Sequence, residues 1–416
     1  MHPFTTAFVF ALALGTGLKL YLAHRHIHHV LANRSAVPAD FASAVTVEAH
    51  QKAADYTCAR TRFGALASIV DAGVLLLLTL GGGLAAIDHA VSKAISGGIM
   101  RDVALVAAVA MVVALIDLPF SVYRTFRIET RFGFNTMTAK LFVIDLLKSV
   151  LISALLGLPL IACILWLMNR AGDHWWLYAW SIWVAFNLLV LMLYPSLIAP
   201  LFNRFSPLQD EDLKVRTEGL LARCGFRPQG FFVMDGSKRS THGNAYFTGF
   251  GRSKRIVFFD TLIARLTHAE IEAVLAHELG HFKHRHVIKR MLLIFAFSLG
   301  FFWLLGKLML TPWFYQALGV SNSSTAMALV LFFLVGPVFT FLAQPLAGYY
   351  SRRHEFEADQ FAVRHASGAD LKRALVKLYQ DNATTLTPDP WHSAFYDSHP
   401  PATQRAARLE PAVRST

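Results

Sequence analysis

Thr267-His268-Ala269-Glu270-Ile271-Glu272-Ala273-Val274-Leu275-Ala276-His277-Glu278-Leu279-Gly280-His281 is the stretch that decides how this 416-residue chain is read. Its first four residues form a capping box, in which Thr267 caps the third helical amide and Glu270 reaches back. Ile271, Val274, Leu275 and Leu279 then recur at helical spacing, so one helix carries the whole segment. His277 and His281, four apart, project from one face of it. Together they could offer two imidazole nitrogens to one zinc ion, with Glu278 placed to take a proton from zinc-bound water. A chain with 18 His and 10 Glu contains such a box by chance roughly once in fifty times, so the surroundings must carry the rest. The helix is expected to run on through Lys283–Arg290 into a membrane span, setting the zinc at the membrane surface or in its cytoplasmic half.

The surroundings are lipid-soluble. The chain is 55% hydrophobic and 16% charged, whereas soluble domains carry about a quarter charged residues. Seven runs are long enough to cross a bilayer, at about 20 residues each: 4–23, 64–88, 99–122, 141–168, 175–200, 288–311 and 326–348. The first resembles a signal peptide in length, but no Lys or Arg precedes Lys19 and no small-residue cleavage site follows, so a retained helix is expected. Loop one carries Arg25, Arg34, Lys52, Arg60 and Arg62, and loop three Arg124, Arg127, Arg131 and Lys140; the other short loops carry two or fewer basic residues. By the positive-inside rule these two loops are cytoplasmic. The N-terminus then lies outside, and residues 204–287 and the C-terminal tail lie in the cytoplasm. The same bias, with attraction to anionic lipid, accounts for the net charge of +12 without nucleic acid. Cys58, Cys163 and Cys224 have no paired spacing, so metal ligands must be His and carboxylate.

The expected division is 1–203 (spans one to five), 204–287 (soluble catalytic part), 288–348 (spans six and seven) and 349–416 (second catalytic part). Within 204–287 we expect a helix over about 210–224, started by Asp210, Glu211 and Asp212. Strands are expected at Phe231–Asp235, Asn244–Gly249 and Arg255–Phe259.

A catalytic zinc needs three protein ligands and an open position. The metzincin spacing would need Gly at 284 and His at 287, where the chain has His284 and Val287. A carboxylate on another helix is the alternative. Glu355 and Asp359 share a helix face, so Glu355 could bind metal while Asp359 fixes a ligand imidazole; Glu357 faces away. His399, stiffened by Pro400 and Pro401, is a candidate to steady the oxyanion. Asp71, Asp88, Asp117, Asp145 and Lys148 fall within or at the ends of apolar runs, which points to a hydrated chamber or to helix-end snorkelling; Asp145 and Lys148 could pair. His24-Arg25-His26-Ile27-His28-His29 reads as an interfacial anchor rather than a metal site.

Further segments carry a resemblance. Tyr123–Glu129, Arg131-Phe132-Gly133-Phe134-Asn135, Tyr194-Pro195, Ile198–Phe202, Ser237–His242 and Asn244-Ala245-Tyr246-Phe247 join the zinc box, Glu355-x-x-x-Asp359 and Ser398-His399-Pro400-Pro401 in one order. Along nearly its whole length the chain resembles the integral-membrane zinc proteases of the CAAX prenyl protease 1 family. The resemblance implies seven helices enclosing a chamber, with a gluzincin-type domain of helices and a small β-sheet on the cytoplasmic side. It implies one Zn2+ per chain on His277, His281 and Glu355, with Glu278 as base, Asp359 in support and His399 assisting. Asn244, Ala245 and Tyr246 would hold a peptide or protein substrate as an added strand. The substrate could be C-terminal or lipidated, with membrane lipid the other partner, no nucleic acid, and a monomeric enzyme. His354 departs from the aromatic residue common before the ligand Glu. The tail lacks a dilysine-type signal, which favours a bacterial inner-membrane protein and would put prenylated substrates in doubt. An HtpX-type quality-control protease would have fewer spans. A transporter or scaffold with structural zinc would need a fourth ligand.

Overall fold

The computed structural model describes residues 2–248 and 253–413. Among them, seven helices are long and apolar enough to cross a membrane: Pro3–Ala32, Val47–Leu78, Gly98–Glu129, Ala139–Arg170, Gly172–Phe202, His286–Leu308 and Thr325–His365. A helix rises about 1.5 Å per residue, so those of 30 to 32 residues reach about 45–48 Å and overshoot the roughly 30 Å of hydrocarbon. Several basic residues counted as loop charge, Arg25, Lys52 and Arg60 among them, therefore sit on protruding helix ends.

Span two departs most from expectation. It starts at Val47, where Thr46 accepts the Ala49 amide at 3.2 Å, and stops at Leu78. Gly81, Gly82 and Gly83 follow; Gly82 has φ +78°, and a Cβ on Gly81 would lie 2.7 Å from the Leu77 carbonyl oxygen. The backbone turns there and a separate helix, Gly83–Ala94, begins. Hydropathy runs unbroken across that turn, which is why 64–88 reads as one span.

The motif helix also ends early. It covers His268–Lys283, and Arg285 adopts a left-handed conformation (φ 56°) before a new helix starts at His286. The expected continuous helix through Lys283–Arg290 is thus two helices set at an angle.

Two cores divide the molecule. Phe8, Leu105, Leu165, Phe314 and Leu331 fill the membrane bundle. Leu213, Leu220, Ile256, Phe258, Ile271 and Leu279 fill the part built around the motif helix. There Asp210 caps Glu211–Cys224 through the Leu213 amide at 2.9 Å. A four-stranded sheet follows: β1 Phe205–Pro207, β2 Arg227–Met234, β3 Ala245–Thr248 and β4 Ser253–Phe259, in the order β1-β2-β4-β3. β2 and β4 are parallel and the other pairs antiparallel. β1 was not expected from sequence; Gly249 of the expected second strand lies outside the described residues.

The two parts are joined by charge. Arg239 grips Asp145 at 2.8 and 3.0 Å, while Lys148 donates to the Leu201 carbonyl at 2.7 Å. The expected Asp145–Lys148 pair gives way to a forked guanidinium contact that a single ammonium does not match. Arg25 pairs with Asp389 at 2.9 Å. His26 is buried, stacks on His392 with ring centres 3.9 Å apart, and accepts the Asp389 amide at 3.2 Å. At His26 the interfacial-anchor reading is replaced by a tertiary contact. Thr136 of loop three donates its amide to the Arg239 carbonyl at 3.3 Å, so loops one and three both meet the part built around the motif helix at one end of the bundle.

The capping box forms as expected: the Thr267 amide donates to Glu270 at 2.8 Å, and the Glu270 amide to Thr267 at 3.4 Å. Lys377 adds a 2.7 Å bond to the buried Glu270 carboxylate. Burial alone would raise the Glu270 pKa, but Lys377 and Thr267 outweigh it and hold the pKa below the ordinary carboxylate range. Stability from this pair is complete at neutral pH and is lost as pH falls through the lowered pKa. Lys377→Met should cost about 1–2 kcal/mol at pH 7, discounted because the lysine is partly exposed. Melting in detergent should show a gap from wild type that narrows once pH falls below the ordinary carboxylate range; an equal gap there and at pH 7 would contradict this.

Candidate metal centre

Gly280 brings the motif helix against a second helix, Gln344–His365. A Cβ at Gly280 would lie 2.9 Å from Ala358 Cα and 3.1 Å from its carbonyl oxygen, so no other residue allows this approach without movement. Glu355 and Asp359, one turn apart, thereby face His277 and His281. The Nε2 atoms of the histidines are 3.3 Å apart, and the two Glu355 oxygens lie 3.4 Å from one or the other. A tetrahedral ion with bonds of about 2.0–2.1 Å sets its ligand atoms roughly 3.3–3.4 Å apart. The two Nε2 atoms are at that edge length, each has one Glu355 oxygen close to it, and Glu355 Oε2 is buried with no hydrogen-bond partner. The residues present fit a metal ion.

Charge agrees with shape. Burial presses the His277 imidazole down, yet its bond to Asp359 and its closeness to the Glu355 carboxylate prevail and hold its pKa up at about 9. Burial and the neighbouring His277 push His281 down to about 3. The neighbouring carboxylates thus favour positive charge on His277, while His281 is held neutral. Burial pushes Glu278 above the ordinary carboxylate range, which suits a group that must both take and return a proton.

Each ligand histidine is braced from behind. His277 Nδ1 lies 2.8 Å from Asp359 Oδ1, and Arg405 donates to Asp359 Oδ2 at 2.9 Å. Arg405 is buried, on the helix Ala402–Val413. Sequence reading missed it, because an arginine near the chain's end carries no local signal of a partner 46 positions away. His281 Nδ1 lies 3.0 Å from His286 Nδ1, which was also missed. Glu357 faces away from the ligand cluster, as expected, and takes the other side of His286 at 3.0 Å. His354 is buried and stacks on His286 with ring centres 3.9 Å apart, occupying the position expected of an aromatic residue.

His399 reaches the centre, with Nε2 3.5 Å from Glu355 Oε1 and Nδ1 2.9 Å from Ser398 Oγ. Asn244, Ala245, Glu278, His277, His399 and Arg405 line one cavity of about 150 Å³. Asn244 precedes β3, its side-chain oxygen accepting the Ala245 amide at 2.8 Å. Ala245 is buried and Tyr246 half-buried. β3 is an edge strand of the sheet, and its outer side pairs with no described strand.

Two larger cavities lead away from the site. One of about 650 Å³ includes His399, Tyr379, Arg60 and Lys19. Another of about 400 Å³ shares Lys19 and Ser68 with it and includes Asp71 and Asp117. Those two aspartates face the chamber as the hydrated-chamber reading requires; Asp88 instead pairs with Arg101 at 2.9 Å.

Fold and centre together define a multi-pass membrane metalloprotease. Residues 26–204 match a family described as CAAX prenyl protease N-terminal, five membrane helices, and residues 207–413 match peptidase family M48. The chain is 38% identical over 319 residues to a CAAX prenyl protease 1 homolog of Oryza sativa subsp. japonica, covering 76% of this chain and 74% of that one. It is 32% identical over 396 residues to a probable CAAX prenyl protease 1 of Schizosaccharomyces pombe, covering 92% and 83%. The crystal structure of S. mikatae Ste24p superposes with a TM-score of 0.92 at 28% identity, over 99% of this chain and all of that one. This chain belongs to the CAAX prenyl protease 1 family. The transporter or scaffold reading is set aside. The relatives named here are eukaryotic and lend no support to a bacterial inner membrane.

Gly280→Ala should force the two helices apart by a few tenths of an ångström or more and spoil the donor triangle. Proteolysis should fall of the order of a hundredfold, the scale of loss from misplaced catalytic groups. Activity within about twofold of wild type would show that the close contact does not set the site.

Proposed function

We propose that this protein is a zinc metalloendopeptidase whose ion is held by His277, His281 and Glu355, one per chain. The observation that carries this reading is the convergence of His277, His281 and Glu355 beside a cavity that borders the free edge of β3. Zinc bound there would polarise a scissile carbonyl and bring the pKa of a water toward 7. Glu278 takes the proton of the attacking water and returns it to the leaving amine. Asp359, clamped by Arg405, keeps His277 in the tautomer that presents Nε2. His399, its Nδ1 engaged by Ser398, offers Nε2–H to the developing oxyanion. Asn244, Ala245 and Tyr246 align the substrate backbone along the free edge of β3, where main-chain pairing supplies affinity without side-chain specificity.

The relatives' names support a C-terminal, prenylated peptide as the substrate class. Shared placement of the basic loops and the catalytic part at one end of the bundle supports a cytoplasmic site and an external N-terminus. A closed bundle with its own chamber suits a monomer. We retain the division into 1–203, 204–287, 288–348 and 349–416, since both catalytic stretches are needed for one metal centre.

Glu278→Gln should keep zinc and lose proteolysis by 10²-fold or more. Comparing membrane peptides cut by wild type and by this variant should enrich prenyl-cysteine C-termini. Undiminished cleavage by the variant would remove Glu278 as base, and scattered cuts in misfolded membrane proteins would favour a quality-control role.

A further inference from the structure

The break at Arg285 has a geometric result outside the ligand set. In an unbroken helix, His286 would stand five positions beyond His281, about 140° around the axis, and the two rings could not meet. The left-handed Arg285, an uncommon conformation for a residue with a side chain, folds the next helix back so that His286 lies directly behind His281. Their Nδ1 atoms are 3.0 Å apart.

The hydrogens can be assigned along this contact. His281 turns Nε2 toward His277 and Glu355, so its Nδ1 carries the hydrogen when Nε2 binds metal. That hydrogen is donated to His286 Nδ1. The His286 hydrogen then sits on Nε2 and is donated to Glu357 Oε2, 3.0 Å away. Arg353 closes the chain at the other Glu357 oxygen, at 3.2 Å. His286 is 1% exposed and sandwiched against His354 (centres 3.9 Å, planes 7° apart), so its ring is held in place.

We propose that His286 and Glu357 are positioning residues for the metal centre, fixing the tautomer and orientation of His281 as Asp359 and Arg405 do for His277. The two ligand histidines are then braced by separate chains, one from the C-terminal helix and one from the turn after the motif helix. His286 touches neither substrate nor metal in this assignment. It rests on His281 being a metal ligand. His284, His286 and Glu357 also form a second group of converging donors, which supplies the rival interpretation, a second metal ion.

The test is zinc affinity of the full-length protein in detergent, by competition with a chromophoric chelator, with zinc counted per chain. His286→Leu should weaken zinc about ten- to hundredfold. His286→Asn, whose Oδ1 can replace Nδ1 as the acceptor, should stay near wild type. Glu357→Leu, at a half-exposed position, keeps the test open if the leucine at 286 disturbs folding; it should weaken zinc several-fold. Wild-type affinity in both leucine variants, or His286→Asn as weak as His286→Leu, would overturn the proposal. Two zinc ions per wild-type chain would overturn it in favour of the second site. Failure of the wild type to bind zinc would overturn the ligand set itself, and is distinguishable because it precedes any variant.

Discussion

The approach of two helices at Gly280 and Ala358 is the constraint on which the rest depends. Three donors from two helices converge within metal-ligating distance only if the backbones nearly touch, and only glycine leaves room for that. The sequence between the histidines thus has two tasks. Glu278 is the base of the proposed reaction, and Gly280 supplies the absence of a side chain. Around that contact the fold spends buried polar groups freely: Glu355, Asp359, Arg405, His354 and His286 are all under 6% exposed. Burial of this kind is costly unless each group is paired. Here Asp359 with Arg405 and His286 with Glu357 form pairs that restrict the two imidazoles, whereas Glu355 Oε2 and His354 Nδ1 are left without a partner.

The membrane bundle decides access to that geometry. Long helices overshoot the hydrocarbon and carry charged ends of both signs to the part that holds the motif helix, where Arg25 meets Asp389 and Asp145 meets Arg239. The chamber lined by Lys19, Asp71 and Asp117 connects through shared residues to the cavity that His399 lines, and His399 lines the catalytic cavity too. Charged side chains therefore line the cavities of the bundle up to the candidate metal site.

What could be read from sequence was local. The capping box, the two histidines and the Glu355/Asp359 pair each lie within a few residues, so helical spacing alone places them. Hydropathy found seven spans but misplaced the second, because it is blind to a turn made of glycines with apolar flanks. It also carried the motif helix past Arg285, since neither Arg285 nor His286 is a helix breaker by composition. Contacts between distant segments left no trace: Arg405 with Asp359, and Arg239 with Asp145, are 46 and 94 residues apart. The substrate-edge reading of Asn244 came from the family resemblance, since a single asparagine beside a short strand has no signature of its own.

X-ray absorption at the zinc edge of the purified, full-length protein tests the central claim most directly. The account predicts one zinc per chain in a shell of nitrogen and oxygen at about 2.0–2.1 Å, two scatterers showing imidazole outer-shell features, with one exchangeable oxygen. Sulfur in the first shell, or four protein ligands with no exchangeable position, would contradict it.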